Sequence, residues 1–257
     1  MNEKYVIANW KMNPDTQKEA KKIIQDLKKN LSKEKIKNTN IVIAPPAIYF
    51  SAIQSLKIKK FILCAQNISI KDTTSRTGEH SINMFSSFGV KYAIVGHSDL
   101  RRSIDDLSSV NKKVQACLKN GIRPILCIGE NEKDNNGFYL KNISDQIISA
   151  LSGVSKKEVE NIVFVYEPVW AISNSMQRDA TGEEVGEAVM FMRKILSDLY
   201  EAKTVKDIPI LYGGSVDETS VSEYLEKTDV SGFLVGRASL SPEKFSKIVI
   251  QTEKNKK

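Results

Sequence analysis

The chain has 257 residues, of which 41% are hydrophobic and 27% are charged. This composition is typical of a globular protein and excludes the disordered and collagen-like classes. No apolar run approaches about eighteen residues, which excludes a transmembrane helix. The formal net charge of +7 permits anionic partners such as nucleic acid or small phosphorylated molecules.

Short apolar runs alternate with segments of helical periodicity along the whole chain. In chain order, the predicted strands are Tyr5–Trp10, Asn40–Ala44, Phe61–Ala65, Tyr92–Val95, Ile122–Ile128, Ile162–Glu167, Ile208–Tyr212 and Gly232–Val235. The helices predicted between and after them are Asp15–Leu31, one through Ile48, Ile53 and Leu56, one through Val110, Val114 and Leu118, one around Ile143–Leu151, then Glu183–Tyr200, Thr219–Leu225 and Pro242–Ile250. The polar stretch 66–80 resists assignment and is too long for an ordinary connection, so we expect it to reach a partner subunit.

Eight strand–helix units without a break in composition favour a parallel sheet that is buried on both faces. A doubly wound open sheet also alternates strands and helices, but it rarely needs eight units. A closed (β/α)8 barrel fits both the count and the length. We therefore predict an α/β protein in which residues 1–257 form a single TIM barrel domain.

The distribution of charge and of cysteine indicates which partners to expect. Basic residues are dispersed, as at Lys18, Lys21 and Lys22, and this spacing is typical of a solvated helix face, so we expect neither nucleic acid nor a membrane as partner. Three cysteines lie in or beside apolar runs, as reduced core residues do: Cys64, Cys117 and Cys127. With no metal-binding spacing and no signal-peptide pattern, we expect a cytoplasmic protein without a metal.

The sixth predicted strand ends in Glu167, which Pro168 follows at once. Proline has no N–H and favours an extended backbone in the residue before it, so the strand stops here and holds the carboxylate at its end. The polar segment 171–181 comes next, and a rigid strand end before such a segment is how a base is placed beneath a lid. Taken alone, this stretch favours an ordinary surface glutamate.

In a (β/α)8 barrel, the active site is built from the C-terminal ends of the strands. The sequence places Asn9 and Lys11 at the C-terminal end of the first strand, His97 at that of the fourth and Glu167 at that of the sixth. A glutamate can take a proton from a carbon beside a carbonyl group, and a histidine can donate to the carbonyl oxygen. A lysine supplies positive charge where an enediolate develops.

Two glycine-rich turns follow the seventh and eighth strands, Gly213-Gly214-Ser215 and Gly236-Arg237. Such turns expose backbone N–H groups to an anion. Singly, each candidate has a plainer interpretation: Lys11 as a solvated lysine, His97 as a structural residue, the glycines as a simple turn. Their joint placement at strand ends favours a catalytic site.

The chain resembles the triosephosphate isomerase family from end to end. The resemblance is carried by Ala8-Asn9-Trp10-Lys11-Met12-Asn13, Ala65-Gln66-Asn67, Thr77-Gly78-Glu79, Val95-Gly96-His97-Ser98, Pro124-Ile125-Leu126-Cys127-Ile128-Gly129-Glu130, Tyr166-Glu167-Pro168-Val169-Trp170-Ala171-Ile172, Tyr212-Gly213-Gly214-Ser215-Val216 and Leu234-Val235-Gly236. It implies the interconversion of dihydroxyacetone phosphate and D-glyceraldehyde 3-phosphate in glycolysis and gluconeogenesis, without cofactor or metal.

The resemblance also assigns roles to residues. It makes Glu167 the base, His97 the electrophile, and Asn9 and Lys11 the groups that bind substrate and intermediate. This family is itself the standard example of a glutamate base beside a neutral histidine. The residues that it places at the phosphate are Ser173, Ser215, Gly236 and Arg237. It further implies a homodimer in which residues 66–80 project into the neighbouring subunit, with Thr77 near that subunit's Asn9–Lys11 region.

Three places depart from the family's usual pattern. The lid is about two residues longer, with Ser173 at the position of a phosphate-gripping glycine. Arg237 replaces the second glycine of the eighth-strand turn. Asp99 and Leu100 replace a glutamate and an arginine, and we expect Asp99 still to tune Lys11. Two alternatives stay open, a barrel acting on another sugar phosphate and a weakly active protein that binds through its basic exterior.

Overall fold

The computed structural model describes residues 3–70, 77–134, 136–172 and 178–255. Eight parallel strands form a closed barrel in which each strand pairs with the next, and the first strand closes against the last. The strands are β1 (Lys4–Asn9), β2 (Thr39–Ala44), β3 (Ile62–Ala65), β4 (Tyr92–Val95), β5 (Arg123–Ile128), β6 (Val163–Tyr166), β7 (Ile210–Tyr212) and β8 (Gly232–Val235). The predicted (β/α)8 barrel and the order of its strands are confirmed.

Helices lie between the strands and after the last one. They are α1 (Gln17–Asn30), α2 (Phe50–Gln54), α3 (Ile82–Ser87), α4 (Ser98–Arg101), α5 (Leu107–Lys119), α6 (Phe138–Ala150), α7 (Lys156–Val159), α8 (Gly182–Tyr200), α9 (Ala202–Val205), α10 (Val221–Lys227) and α11 (Pro242–Lys254). The sequence did not predict α3, α4, α7 or α9, because helices of four to six residues are too short to establish a helical period.

The predicted helix through Ile48, Ile53 and Leu56 differs from the observed structure. A 3-10 turn, Ala47–Tyr49, precedes α2, and α2 ends at Gln54. Ile48 is 77% exposed and therefore does not belong to an apolar helix face. Pro46 lies directly before the 3-10 turn with φ near −51°, and the tighter turn rotates Ile48 away from the core.

Helix α1 shows how local sequence sets the element bounds. The Thr16 hydroxyl accepts a hydrogen bond from the Glu19 N–H at 3.2 Å, and the Glu19 carboxylate accepts one from the Thr16 N–H at 3.1 Å. This capping box satisfies N–H groups that the first helical turn leaves free. Ala20, Ile24 and Leu27 are buried at the spacing of one helix face, so the helix packs against the barrel.

Side chains fill the interior of the barrel, and the active site therefore has to lie above this core rather than in it. Inward-facing residues from all eight strands form one cluster, which includes Tyr5, Ile7, Cys64, Cys127 and Val165. A second and larger cluster lies between the strands and the helices. The three cysteines are free and buried, as predicted for core residues. Of the described helices, none combines the length and apolar character needed to cross a membrane.

Candidate active site

A cavity of about 720 Å³ opens at the C-terminal ends of the strands. This volume is within the usual range of small-molecule sites. Seven of the residues predicted for the site line it: Asn9, Lys11, His97, Glu167, Ser215, Gly236 and Arg237. The eighth, Ser173, lies outside the described residues.

Glu167 follows β6 directly, and its backbone N–H donates to the Ile128 carbonyl oxygen at 2.7 Å. The strands β5 and β6 approach so closely here that a Cβ on Gly129 would lie 2.0 Å from the Glu167 carbonyl oxygen. Only glycine therefore fits at position 129. The Glu167 carboxylate is 1% exposed, and its Oε1 lies 3.0 Å from His97 Nε2.

Neighbouring charged and hydrogen-bonding groups keep the buried Glu167 carboxylate ionised. Burial by itself raises the pKa of this group, but the His97 imidazole, the Arg101 guanidinium and the Ser98 backbone N–H lower it by more, so the pKa lies below its usual value. The Ser98 N–H donates to Oε2 at 2.9 Å, and the Ser98 hydroxyl lies 3.2 Å from Oε1. At neutral pH, the carboxylate is therefore free to accept a proton.

His97 caps helix α4, and this position selects its tautomer. Its Nδ1 accepts a hydrogen bond from the Asp99 backbone N–H at 3.1 Å, so Nδ1 carries no proton. In the neutral ring the proton then resides on Nε2, which points at Glu167. The imidazole thus presents a hydrogen-bond donor to the cavity, as a neutral electrophile requires.

Lys11 has a left-handed backbone with φ of +50°, which costs a non-glycine residue on the order of 1–3 kcal/mol. Two side chains hold it there. The Asn9 amide oxygen accepts from the Lys11 N–H at 3.1 Å, and the Gln66 amide donates to the Lys11 carbonyl oxygen at 2.8 Å. The strained turn aims the Lys11 ammonium group along the cavity wall, where it lies 2.9 Å from Asp99 Oδ2.

Asp99 is the shorter carboxylate that replaces the family's usual glutamate, and it still reaches Lys11. Burial raises the pKa of Asp99, but the hydrogen bond from Lys11 and the nearby His97 and Arg102 lower it further, so it lies below its usual value. The pair is partly exposed, with 29% of the Lys11 side chain and 45% of the Asp99 side chain accessible. Solvent screening makes the pair weak in energy, and its effect is to orient the lysine.

The opposite wall of the cavity is formed by the glycine-rich turns. A Cβ on Gly214 would lie 2.2 Å from the Tyr212 hydroxyl, so packing requires glycine there. A Cβ on Gly236 would meet nothing within 4 Å, because the cavity itself reaches this backbone. The Ser215 N–H already donates to the Ala171 carbonyl oxygen at 3.2 Å, which leaves the Ser215 hydroxyl for a ligand.

Sequence reasoning missed three residues at or beside this site. Arg101 donates to the Cys127 and Gly129 carbonyl oxygens at 3.2 and 3.3 Å and supports the floor under Glu167. Gln66 holds the Lys11 turn, and Lys244 of α11 lines the cavity. Arg101 and Gln66 act through contacts across the barrel, for which the local sequence carries no signal. Gln66 nevertheless lies in a segment that resembles the family, and Arg101 lies in a segment that departs from the family's pattern.

The Arg237 side chain lines the cavity, and in the described part of the chain it has no carboxylate within 4.0 Å. We expect Arg237→Gly to raise KM by about fivefold, because a phosphate would lose one partly exposed charge contact worth about 1 kcal/mol. KM and the inhibition constant of inorganic phosphate measure this, with Lys247→Gln on α11 as control, since Lys247 pairs with Glu243 outside the cavity. Unchanged values for Arg237→Gly would remove its role.

Comparison with known proteins places this chain in a family. The sequence profile of the triosephosphate isomerase family matches residues 4–252. The triosephosphate isomerase of Natranaerobius thermophilus is 36% identical over 247 residues, which cover 95% of this chain and 94% of that protein. The triosephosphate isomerase of Dictyoglomus thermophilum is 36% identical, over 97% of this chain and 99% of that protein. That of Coprinopsis cinerea is 35% identical, over 93% of this chain and 94% of that protein. The chain therefore belongs to the triosephosphate isomerase family.

Proposed function

We propose that the chain interconverts dihydroxyacetone phosphate and D-glyceraldehyde 3-phosphate, with Glu167 as the base that moves one proton between two substrate carbons. The observation that carries the proposal is the 3.0 Å contact between the ionised Glu167 carboxylate and His97 Nε2 in a cavity that Lys11 also lines. A base, a neutral donor and a cation around one cavity are what an enediolate intermediate needs.

Each group has a separate step in this mechanism. Glu167 leaves its hydrogen bonds with Ser98 and takes a proton from the carbon beside the carbonyl group. His97 donates through Nε2 to the substrate oxygen, which develops negative charge, and Lys11 stabilises that charge from a fixed position. Glu167 then returns the proton to the neighbouring carbon, while a hydroxyl proton passes from one substrate oxygen to the other beside His97 Nε2, and Asn9 helps to orient the substrate.

The phosphate group would bind at the wall formed by the Ser215 hydroxyl, Gly236 and Arg237, which all line the cavity. Ser173 belongs to the proposal on the family resemblance alone. We further propose that the segment after Trp170 closes over the substrate and excludes water, which limits loss of phosphate from the intermediate. The Trp170 Nε1–H donates to the Glu130 carboxylate at 2.8 Å, and this hydrogen bond fixes Trp170, the residue from which the segment starts.

A coupled assay tests the proposal directly. The protein should turn over glyceraldehyde 3-phosphate, and 2-phosphoglycolate should inhibit it competitively, because that anion mimics both the phosphate and the developing charge. If the protein turned over no triose phosphate but isomerised a longer sugar phosphate, the alternative barrel activity would replace this one. Turnover of neither substrate would leave binding as its function.

We also propose that the protein is a homodimer that forms through the stretch 66–80. Large apolar side chains are exposed just after this stretch, at Met84 (55%), and in the turn that Gln66 supports, at Met12 (91%). A monomer rarely exposes such a set without a partner. Sedimentation equilibrium should give a mass near twice 28.8 kDa, and a mass of 28.8 kDa at micromolar concentration would rule the dimer out.

The compartment and domain organisation complete the proposal. Cys64, Cys117 and Cys127 are buried and free, which fits a reducing compartment such as the cytoplasm. We propose that residues 1–257 act as one domain, since the described strands close a single barrel around one interior core.

A further inference from the structure

Two connecting segments meet at the N-terminal end of the barrel and carry a dense set of lysines. We call residues 28–37 and 57–60 together the basic end. The segments touch, because the Lys60 ammonium group donates to the Leu31 carbonyl oxygen at 2.8 Å. Eight lysines lie in the basic end: Lys28, Lys29, Lys33, Lys35, Lys37, Lys57, Lys59 and Lys60.

The basic end contains the net charge of the whole molecule. Its eight lysines and its single acidic residue, Glu34, give a charge of +7. The formal net charge of the complete chain is also +7, from 38 basic and 31 acidic residues, so the rest of the chain sums to zero. The lysines are separated along the sequence, and the barrel gathers them at one end.

The lysines of the basic end also differ in their pairing from several surface lysines on the helices. Within the described residues, none of the eight ammonium groups lies within 4.0 Å of a carboxylate. Elsewhere, Lys141, Lys194 and Lys247 each pair with a carboxylate one helical turn away, at 2.5 to 2.8 Å. Lys28 and Lys29 lie in the last turn of α1, where their positive charge interacts favourably with the helix dipole. The other six lysines lie outside any helix.

The position of the basic end keeps it away from the catalytic cavity. Its segments lead into the N-terminal ends of β2 and β3, whereas the cavity opens at the C-terminal ends of the strands. An anion bound there would leave the cavity open. A concentration of like charge also opposes folding, because the lysines repel each other. An anionic partner would remove that repulsion.

We propose that the basic end binds the phosphate backbone of nucleic acid, without preference for base sequence. Lysine ammonium groups neutralise backbone phosphates, and this electrostatic contribution supplies essentially all of non-specific nucleic-acid binding. The basic end contains no arginine, tryptophan, tyrosine or phenylalanine, so it lacks the side chains that most often read bases or stack on them. Its chemistry therefore fits phosphate contacts alone.

An anionic membrane fits the basic end less well. Peripheral proteins that bind membranes stably add an apolar or lipid anchor to a basic patch. In the described residues, none of the exposed large apolar side chains belongs to the basic end. The proposal also revises the expectation from sequence, where the basic residues looked dispersed and no nucleic-acid partner was expected.

The experiment measures binding of a duplex DNA of mixed sequence to the full-length protein by fluorescence anisotropy, between about 50 and 200 mM salt. The test variant combines Lys33→Gln, Lys35→Gln and Lys59→Gln, three exposed lysines of the basic end. The control combines Lys141→Gln, Lys194→Gln and Lys247→Gln, which removes the same charge elsewhere. Isomerase activity and melting temperature should match the wild type in both.

We expect the test variant to bind the duplex at least about tenfold more weakly than the wild type does. The slope of log affinity against log salt concentration should be smaller in magnitude by about 3, since each neutralised phosphate contributes about 0.9 and the variant lacks three lysines. The control variant should bind like the wild type. Equal weakening in both variants would show that only net charge matters and would overturn the site. Tighter retention of the wild type on phosphatidylserine vesicles than on duplex would overturn the choice of partner.

Discussion

Replacing Glu167 with glutamine is expected to lower kcat by about 10³-fold, the usual range for loss of a general base being about 10²- to 10⁴-fold. The amide has the same shape as the carboxylate and can still accept the hydrogen bond from the Ser98 N–H, so the site should keep its geometry. KM should change little, because Glu167 acts on the reacting carbon and not on the phosphate group. Turnover of glyceraldehyde 3-phosphate at saturating substrate measures the effect.

Two further variants separate the base from the bulk of the side chain. Glu167→Asp retains a carboxylate but withdraws it by one methylene, so we expect a smaller loss of kcat than with Glu167→Gln. Glu183→Gln changes an exposed carboxylate at the start of α8 and should leave kcat unchanged. A Glu167→Gln enzyme within about tenfold of wild type would mean that another group takes the proton.

Replacing Lys113 with methionine is expected to reduce the free energy of unfolding by about 3–5 kcal/mol, the usual cost of removing one partner of a buried ion pair. The Lys113 ammonium group lies 2.7 Å from Asp105 Oδ1 and 2.6 Å from the Asn67 amide oxygen. Both charged side chains are at most 5% exposed. Without the lysine, the Asp105 carboxylate would be buried and uncompensated. Urea denaturation of the purified protein measures the loss.

A double variant tests whether the loss arises from the unpaired carboxylate. Adding Asp105→Asn to Lys113→Met removes both charges and should restore much of the stability. Lys112→Met, at the exposed neighbouring position on the same helix, should change stability by less than about 0.5 kcal/mol. If the double variant were as unstable as Lys113→Met alone, the ion pair would not explain the effect.

Most strands and long helices could be predicted from the sequence because their signals are local. A buried parallel strand is a continuous apolar run, as in Ile162–Glu167, and a long helix repeats its apolar residues every three to four positions. The observed strand, Val163–Tyr166, differs from that prediction by one residue at each end. Helices of one turn, such as α4, carry no such period, although α4 is the helix that positions His97.

The site was predicted as a set of residues but not as a set of contacts. Topology alone brings Asn9, His97 and Glu167 to one end of the barrel, since Asn9 is the last residue of a strand and the other two follow strand ends. The contact between Lys11 and Asp99 joins residues far apart in the chain at 2.9 Å, and it depends on how the first and fourth strands face each other across the cavity. No local pattern reports such a distance.

The sequence by itself determined the alternation of strands and helices, the residues at the strand ends and the family that they resemble, because each depends on neighbours along the chain. Only the tertiary structure decided which charges are paired and which are not. Closure of the barrel brings Glu167 against His97 and leaves eight lysines of two separate segments together without a carboxylate within 4.0 Å in the described residues. Coulomb interactions depend on separation in space, and the separation of residues along a sequence does not specify it.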